Sequence, residues 1–297
     1  MASKIFFRTI YFAGGCYIAL LLYLYFHQRE LIFVGSTFKT HLDMRTVHGK
    51  NAVLEMIPAP SGDTCAVLFA PSLTKLGTFD PDADKRPYVL FFYGNGSSLT
   101  SSLGIIYQLQ TRGLNVCSVD YPGYGDSTGV ASEKGNFEAA TVAYDYLTCT
   151  RHIPASRIVI MGWSLGAASA IDLATRAPHA ALITCGAFRS MVTMSNQLYP
   201  IVPVPLLTAI LKYPFDNIDK MPLLKGPVLM VHGRMDHYIP YANCDALAAA
   251  CKADVTRYTV GTGDHDQLFD AGGAPLYEVI AGFCHKHVPT VDGVVAS

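Results

Sequence analysis

The chain has 297 residues, of which 51% are hydrophobic and 15% charged, so it carries enough apolar material for one large folded core. The formal net charge of −1 gives no electrostatic argument for nucleic acid, and we predict no nucleic-acid partner. The eight cysteines show neither CxxC nor Cys/His ligand spacing, so we predict no metal site.

The first predicted element is a membrane anchor within residues 1–30. Residues 9–28 contain no side chain that is charged at neutral pH, when His27 is counted as neutral. A helix of this length reaches about 30 Å, which is enough to cross the apolar core of a bilayer. Two other interpretations stay open, a cleaved signal peptide and a buried core helix, although no small-x-small cleavage site follows Leu22.

Charges on the two sides of the anchor predict its orientation. Lys4, Arg8 and the α-amino group precede the anchor, whereas Arg29 and Lys39 follow it. The positive-inside rule then favours a cytosolic N-terminus in a single-pass protein of an endomembrane, with the body on the lumenal or extracytoplasmic side. Residues 31–50 are interpreted as a juxtamembrane connection.

Residues 51–297 predict one α/β domain. Short β-rich apolar runs alternate with helical segments, which is typical of a mostly parallel, twisted sheet with helices on both faces. The predicted strands are 65–70, 88–93, 115–120, 157–162, 181–186, 227–233 and 255–260, and the predicted helices are 101–112, 132–150, 165–176, 241–252 and 275–286. The polar residues 75–86 are predicted to form a hairpin loop between the first two strands.

A longer excursion, at about residues 187–225, predicts a short cover segment. It contains five prolines and many large apolar residues, and an insertion of this kind between strands of an open sheet usually covers the ligand site. Its stretch 199–215 is apolar enough to line an acyl pocket or to contact a membrane, and the alternative is that it only packs on the core.

The sequence GWSLG at 162–166 stands between a predicted strand and a predicted helix. This G-x-S-x-G pattern allows a tight turn that raises a serine above the carboxyl ends of the strands, which makes Ser164 a candidate nucleophile. The amide of Leu165 opens the following helix, where the positive end of the helix dipole favours an oxyanion. The alternative is a small-residue turn without chemistry.

A serine nucleophile requires a base and an acid, each in a loop after a late strand. Asp236 follows the strand at 227–233 and His265 follows the strand at 255–260, so we predict the catalytic set Ser164, Asp236 and His265. Asp264 or Asp266 remains an alternative acid. His232 lies within a strand and is predicted to be packed and hydrogen-bonded, whereas His237 adjoins the acid and is a candidate for adjusting the site.

The loop YGNGSS at 93–98 follows a buried strand, and its glycines allow backbone amides to approach a substrate. We predict that the Asn95 amide completes an oxyanion hole with the Leu165 amide. A plain glycine turn is the alternative.

Together these motifs resemble the α/β-hydrolase superfamily, in particular its small membrane-anchored serine-hydrolase branch. The resemblance covers about residues 52–287 and depends on FFYGNGSSL, SVDYPGYGDSTG, GWSLG, VHGRMDHYIP and GTGDHDQL. The second motif matches a structural turn without a catalytic role. One departure is Tyr93, which replaces the histidine usual in the first motif and puts the geometry of that loop in question. The resemblance implies the α/β-hydrolase fold and catalysis without a cofactor.

The predicted function is hydrolysis of acyl esters through an acyl-enzyme, with lipids of the lysophospholipid or acylglycerol type as substrates. The anchor and the apolar cover segment favour lipids, because they keep the site near a bilayer. The second interpretation is an acyl-protein (palmitoyl) thioesterase, an activity that the resemblance also implies, and the third is a peptidase. An alternative of another class is a non-catalytic membrane scaffold.

Overall fold

A computed structural model describes residues 2–38, 40–49 and 51–288, with side chains described from residue 6 onward. Lys39 and residues 289–297, the last part of the predicted domain, lie outside the described residues, and so does the side chain of Lys4.

The described residues form one eight-stranded sheet in the order β1-β2-β4-β3-β5-β6-β7-β8. Its strands are β1 Val53–Pro58, β2 Thr64–Ala70, β3 Tyr88–Phe92, β4 Asn115–Val119, β5 Ile158–Trp163, β6 Ala181–Cys185, β7 Val228–Gly233 and β8 Val255–Val260. Strand β2 is antiparallel to β1 and β4, and every later pairing is parallel. Strands β3 to β7 are buried along their whole length except at Trp163, so the predicted mostly parallel sheet is confirmed.

The first strands differ from the prediction in two respects. Strand β1 is not among the predicted strands, because Glu55 and Met56 are exposed and its burial pattern is irregular. The residues 75–86 do not connect a hairpin, because β3 lies between β4 and β5 and does not pair with β2. This loop is instead held by the buried Asp80, which accepts hydrogen bonds from Arg86 Nε at 3.0 Å and Ser72 Oγ at 2.9 Å.

Helices cover both faces of the sheet, as predicted. Those of the domain are α3 Leu103–Gln110, α4 Glu133–Asp145, α5 Leu165–Arg176, α6 Met191–Leu198, α7 Val204–Ile210, α8 Ala242–Ala250 and α9 Leu268–His287. Helices α3 and α9 pack on each other, as do α4 and α5, and each pair contacts the sheet. Ser132 caps α4 by accepting a hydrogen bond from the Gly135 amide, which is the start predicted for this helix.

The chain begins with two helices that precede the sheet, α1 Ala2–Phe26 and α2 Gln28–Ile32. Residues Phe6–Phe26 are long and apolar enough to cross a membrane, and only 6% of the most apolar window is buried. A helix in the core of a soluble protein is mostly buried, whereas this one exposes large apolar side chains such as Phe7, Tyr11 and Phe12.

The cover segment contains α6 and α7, and its residues Met194 and Leu207 line one cavity together with Ser164, which directly follows β5. A second, smaller apolar cluster joins it to the first helix, with Leu24 packed against Val202 and Leu207. The predicted anchor, the cover segment and the sheet therefore meet on the side of the molecule where Ser164 lies.

Candidate active site

Ser164 lies at a sharp turn between β5 and α5. Its φ of 54° and ψ of −119° are strained for a residue with a side chain. The flanking glycines allow the turn, because a Cβ on Gly162 would approach the Gly166 carbonyl oxygen to 2.2 Å and one on Gly166 would approach that of Phe92 to 2.1 Å. The G-x-S-x-G pattern therefore has a steric cause, and the turn raises the serine hydroxyl above the strand ends.

The loops that carry Asp236 and His265 follow neighbouring strands, β7 and β8, and approach each other closely. A Cβ on Gly233 would come within 2.3 Å of the Gly263 carbonyl oxygen, so a side chain at Gly233 would push the loops apart. The Met235 amide donates to the same carbonyl at 3.0 Å. This contact between the loops brings Asp236 and His265, which are 29 positions apart in the chain, into one site.

The structure brings the three predicted catalytic side chains together in one chain of hydrogen bonds. His265 Nε2 lies 2.8 Å from Ser164 Oγ, and His265 Nδ1 lies 2.8 Å from Asp236 Oδ2. The other oxygen of Asp236 accepts from the Ile239 amide at 2.6 Å, which fixes the carboxylate. All three side chains are buried.

The alternative acids do not contact the imidazole. Asp264 is exposed and accepts from the backbone amides of His265 and His237, at 2.7 Å and 3.4 Å. Asp266 is also exposed. Of the three carboxylates considered, Asp236 is therefore the one that is hydrogen-bonded to the His265 imidazole. His237 follows Asp236 in the chain, and its backbone amide donates to the Asp264 carboxylate.

His232 is buried and packed, as predicted, and lies behind the acid. Its Nε2 donates to the Ile239 carbonyl oxygen at 2.8 Å and lies 3.5 Å from Asp236 Oδ2. Burial, with a smaller effect of His265, lowers the pKa of His232 from its ordinary 6.5, although the Ile239 carbonyl and Asp236 oppose the shift. His232 is therefore neutral at neutral pH.

The lowered pKa of His232 predicts a loss of stability in acid. The unfolded chain takes up a proton more readily, so the free energy of unfolding is highest above pH 6.5 and falls as the pH drops from there toward the folded pKa. The glutamine amide of His232→Gln can still donate to the Ile239 carbonyl oxygen, but it does not titrate. As the pH falls below 6.5, we therefore expect the free energy of unfolding of this variant to fall less than that of the wild type. Urea unfolding midpoints at about pH 7.5 and about pH 5 measure this, and equal losses in the two proteins would contradict it.

The Asn95 loop, which follows β3, is fixed from two sides. The Asn95 side-chain oxygen accepts from Tyr124 Oη at 2.9 Å, and its carbonyl accepts from the Gly35 amide at 3.1 Å. A Cβ on Gly94 would lie 3.3 Å from Ser164 Cβ, so this loop passes directly beside the nucleophile. Leu165 is the first residue of α5, where amides have no partner within the helix.

Tyr93, the departure from the family motif, is accommodated by a buried partner. Its Oη donates to Asp120 Oδ1 at 2.8 Å, and Asp120 Oδ1 also accepts from the Leu99 amide at 2.9 Å. Burial raises the pKa of Asp120. The hydrogen bonds from the Leu99 amide, the Asp126 amide and the Tyr93 hydroxyl stabilise the charged carboxylate, but the effect of burial is larger. Sequence reasoning missed this pair, although a carboxylate directly after a buried strand is an indication of such a role.

Two cavities meet at Ser164. The apolar cavity has a volume of about 160 Å³ and extends between the cover segment and the first two helices. The second cavity is wider, about 930 Å³, and its lining is mixed: polar residues such as Ser101 and Asp270 alternate with apolar ones such as Ile105 and Phe269. Asn95, Ser164 and Tyr238 line both cavities, so an atom attacked by the serine would lie at their junction.

Within the part of the chain that the structure describes, no group of three or more His, Cys, Asp or Glu side chains is arranged to hold a metal ion.

Comparison with known proteins gives one family. A model described as "alpha/beta hydrolase fold" matches residues 87–209. The alpha/beta hydrolase domain-containing protein WAV2 of Arabidopsis thaliana is 30% identical over 221 residues, which are 69% of this chain and 72% of that protein. An uncharacterized protein of Mycobacterium tuberculosis is 29% identical over 268 residues, 89% of each chain.

Solved structures resemble the fold as a whole. The Pyrococcus furiosus esterase Pf2001 superposes with a TM-score of 0.68 at 13% identity, over 85% of this chain and 98% of that one. An alpha-beta hydrolase from Vibrio vulnificus gives 0.67 at 18% identity, over 86% and 92%. At these identities the likeness establishes the architecture.

Proposed function

The chain belongs to the α/β-hydrolase family, and on that basis we propose that it is a serine hydrolase that cleaves acyl esters through Ser164. The observation that carries the proposal is the hydrogen-bonded series Ser164, His265 and Asp236 at a strained strand-to-helix turn. Strain of this kind is costly for a fold, and it is found where it positions reacting groups.

The geometry supports the following mechanism. His265 Nε2 accepts the proton of Ser164 Oγ as the oxygen attacks an acyl carbonyl, and Asp236 fixes the imidazole tautomer and stabilises its cation. We assign stabilisation of the oxyanion to the amides of Leu165 and Asn95, because both residues line the apolar cavity together with Ser164. His265 then returns the proton to the leaving alcohol, and water attacks the acyl-enzyme by the same route.

The two cavities support a lipid substrate. The apolar cavity is narrow and its lining is mostly aliphatic and aromatic, which suits an unbranched acyl chain. The wider cavity also reaches Ser164, and it has the volume and the polar groups, such as Ser101, Gln108 and Asp270, to take a hydrated leaving group such as a glycerol or a phosphorylated glycerol. We therefore assign the acyl chain to the apolar cavity and the leaving group to the wider cavity.

The first helix and the cover segment support a location at a bilayer. We propose a single-pass endomembrane protein with a cytosolic N-terminus, anchored by α1. Leu198 and Ile201, in the cover segment, are 58% and 68% exposed. They flank Tyr199 and Val202, which pack in one cluster with Leu24 at the end of the anchor. Apolar side chains at this position would enter the interface of the bilayer, which supports a location of the mouth of the site at the lipid surface.

The substrate class is tested with the full-length protein in membranes. We expect hydrolysis of lysophospholipid, monoacylglycerol and p-nitrophenyl palmitate in the membrane fraction after carbonate extraction. A palmitoylated peptide separates ester from thioester hydrolysis, and its preferential cleavage would replace our proposal with the thioesterase alternative. Turnover of none of these substrates by folded protein would contradict the proposal and favour the scaffold.

A further inference from the structure

We propose that the predicted anchor is part of the substrate site. The last turn of α1 and the helix α2 form one wall of the apolar cavity, and Gln28 is the residue that positions this wall. The inference rests on the proposed function and adds an element to it. Leu24, Gln28, Leu31 and Ile32 line the same cavity as Ser164. An acyl chain attached to the serine would therefore extend toward the membrane helix.

Gln28 connects α1 and α2 to the end of α7, because both the nitrogen and the oxygen of its side-chain amide form hydrogen bonds. Its Nε2 donates to the Ile210 carbonyl oxygen at 2.8 Å and to the Tyr25 carbonyl oxygen at 3.2 Å. Its Oε1 accepts from the Lys212 amide at 2.7 Å. The side chain is buried, so a residue unable to make these bonds would leave backbone groups without partners.

Further contacts on the same two segments reinforce this connection. Leu24 packs with Val202 and Leu207 in a separate apolar cluster. The Lys212 ammonium lies 3.9 Å from the centre of the Tyr25 ring, which is the geometry of a cation–π contact. The end of α1 is thus fixed to the cover segment by apolar, hydrogen-bonding and cationic contacts, which a simple tether would not require.

This arrangement makes the wall of the cavity depend on the anchor. The cover segment contributes the facing side, with Met194, Leu207 and Leu211, and Leu165 lies at the end that carries the nucleophile. Because the cavity volume is only about 160 Å³, a small displacement of either wall changes which chains fit. The anchor therefore determines chain-length preference.

The test is the ratio of kcat/KM for p-nitrophenyl palmitate to that for p-nitrophenyl butyrate, measured with full-length protein in detergent micelles. We expect Gln28→Ala to lower this ratio about tenfold, because a long chain needs the wall and a short one does not fill the cavity. Glu30→Ala, on an exposed position of the same short helix, is the control and keeps the wild-type ratio.

Leu31→Trp provides an independent variant, since Leu31 lines the cavity and is 39% exposed, so a larger ring can be accommodated. We expect it to lower the ratio by a similar factor of about ten by shortening the cavity. Labelling by a fluorophosphonate probe reports that each variant is folded and its serine active. An unchanged ratio in labelled Leu31→Trp, or in labelled Gln28→Ala, overturns the inference. Absence of labelling and turnover in the wild type overturns the proposed function instead.

Discussion

Replacing Ser164 with alanine is expected to lower kcat for acyl-ester hydrolysis by about 10⁴- to 10⁶-fold. The attacking atom is Ser164 Oγ, and its proton passes to His265 Nε2, which lies 2.8 Å away. Alanine removes both the nucleophile and this proton. Alanine also retains the backbone of the turn, so the fold is expected to persist. The measurement is the hydrolysis of p-nitrophenyl butyrate by wild type and variant in the same membranes.

Ser156→Ala is the matched control for this change. Ser156 is exposed and precedes β5, at the opposite end of the strand that leads to Ser164. We expect its activity to stay within about twofold of the wild type, as is usual for surface substitutions away from the site. Comparable hydrolysis by Ser164→Ala and Ser156→Ala would rule out Ser164 as the nucleophile. A cellular phenotype that survives Ser164→Ala would favour the scaffold.

Asp236→Asn is expected to lower kcat by about 10⁴-fold without unfolding the protein. The Ile239 amide, 2.6 Å from Oδ1, selects the oxygen of the new side-chain amide and turns its NH₂ group toward His265 Nδ1. His265 then has to accept at Nδ1 and carry its proton on Nε2, which can no longer accept from Ser164. The loss therefore arises from the wrong tautomer.

The control for that change is Asp264→Asn, in the same site and with the same change of charge. Asp264 accepts from two backbone amides, and an asparagine oxygen can replace the carboxylate in both contacts. We expect a loss of no more than about threefold, because the exposed charge is screened by water. A larger loss in Asp264→Asn than in Asp236→Asn, with both proteins folded, would assign the orienting role to Asp264.

Much of the fold could be predicted because its central strands are buried on both faces. Strands such as β3 and β5 are continuous apolar runs for that reason, and the helices between them end at recognisable turn residues. Strand β1 escaped prediction because it is an edge strand, half exposed, and its stability comes from pairing with β2. The mistaken hairpin has a similar cause, since the insertion of β3 beside β5 is decided by contacts between distant segments.

Part of the candidate site could likewise be predicted from the sequence, and part could not. Ser164, Asp236 and His265 were predictable from short motifs, because each follows a strand and the carboxyl ends of parallel strands meet at one edge. The role of Gln28 was not, because its partners Ile210 and Lys212 lie more than 180 positions away. In the sequence Gln28 only ends an uncharged run. That the end of α1 and the helix α2 line the cavity depends on tertiary packing alone.

The central claim is that Ser164 is an activated nucleophile in a membrane-anchored hydrolase, and mass spectrometry of a fluorophosphonate adduct tests it most directly. The full-length protein is treated with the probe in intact membranes, digested and mapped. We predict that the adduct lies on the peptide that contains Ser164, in the membrane fraction, and that it is absent from Ser164→Ala. An adduct on another serine, or none on folded wild-type protein, would contradict the claim.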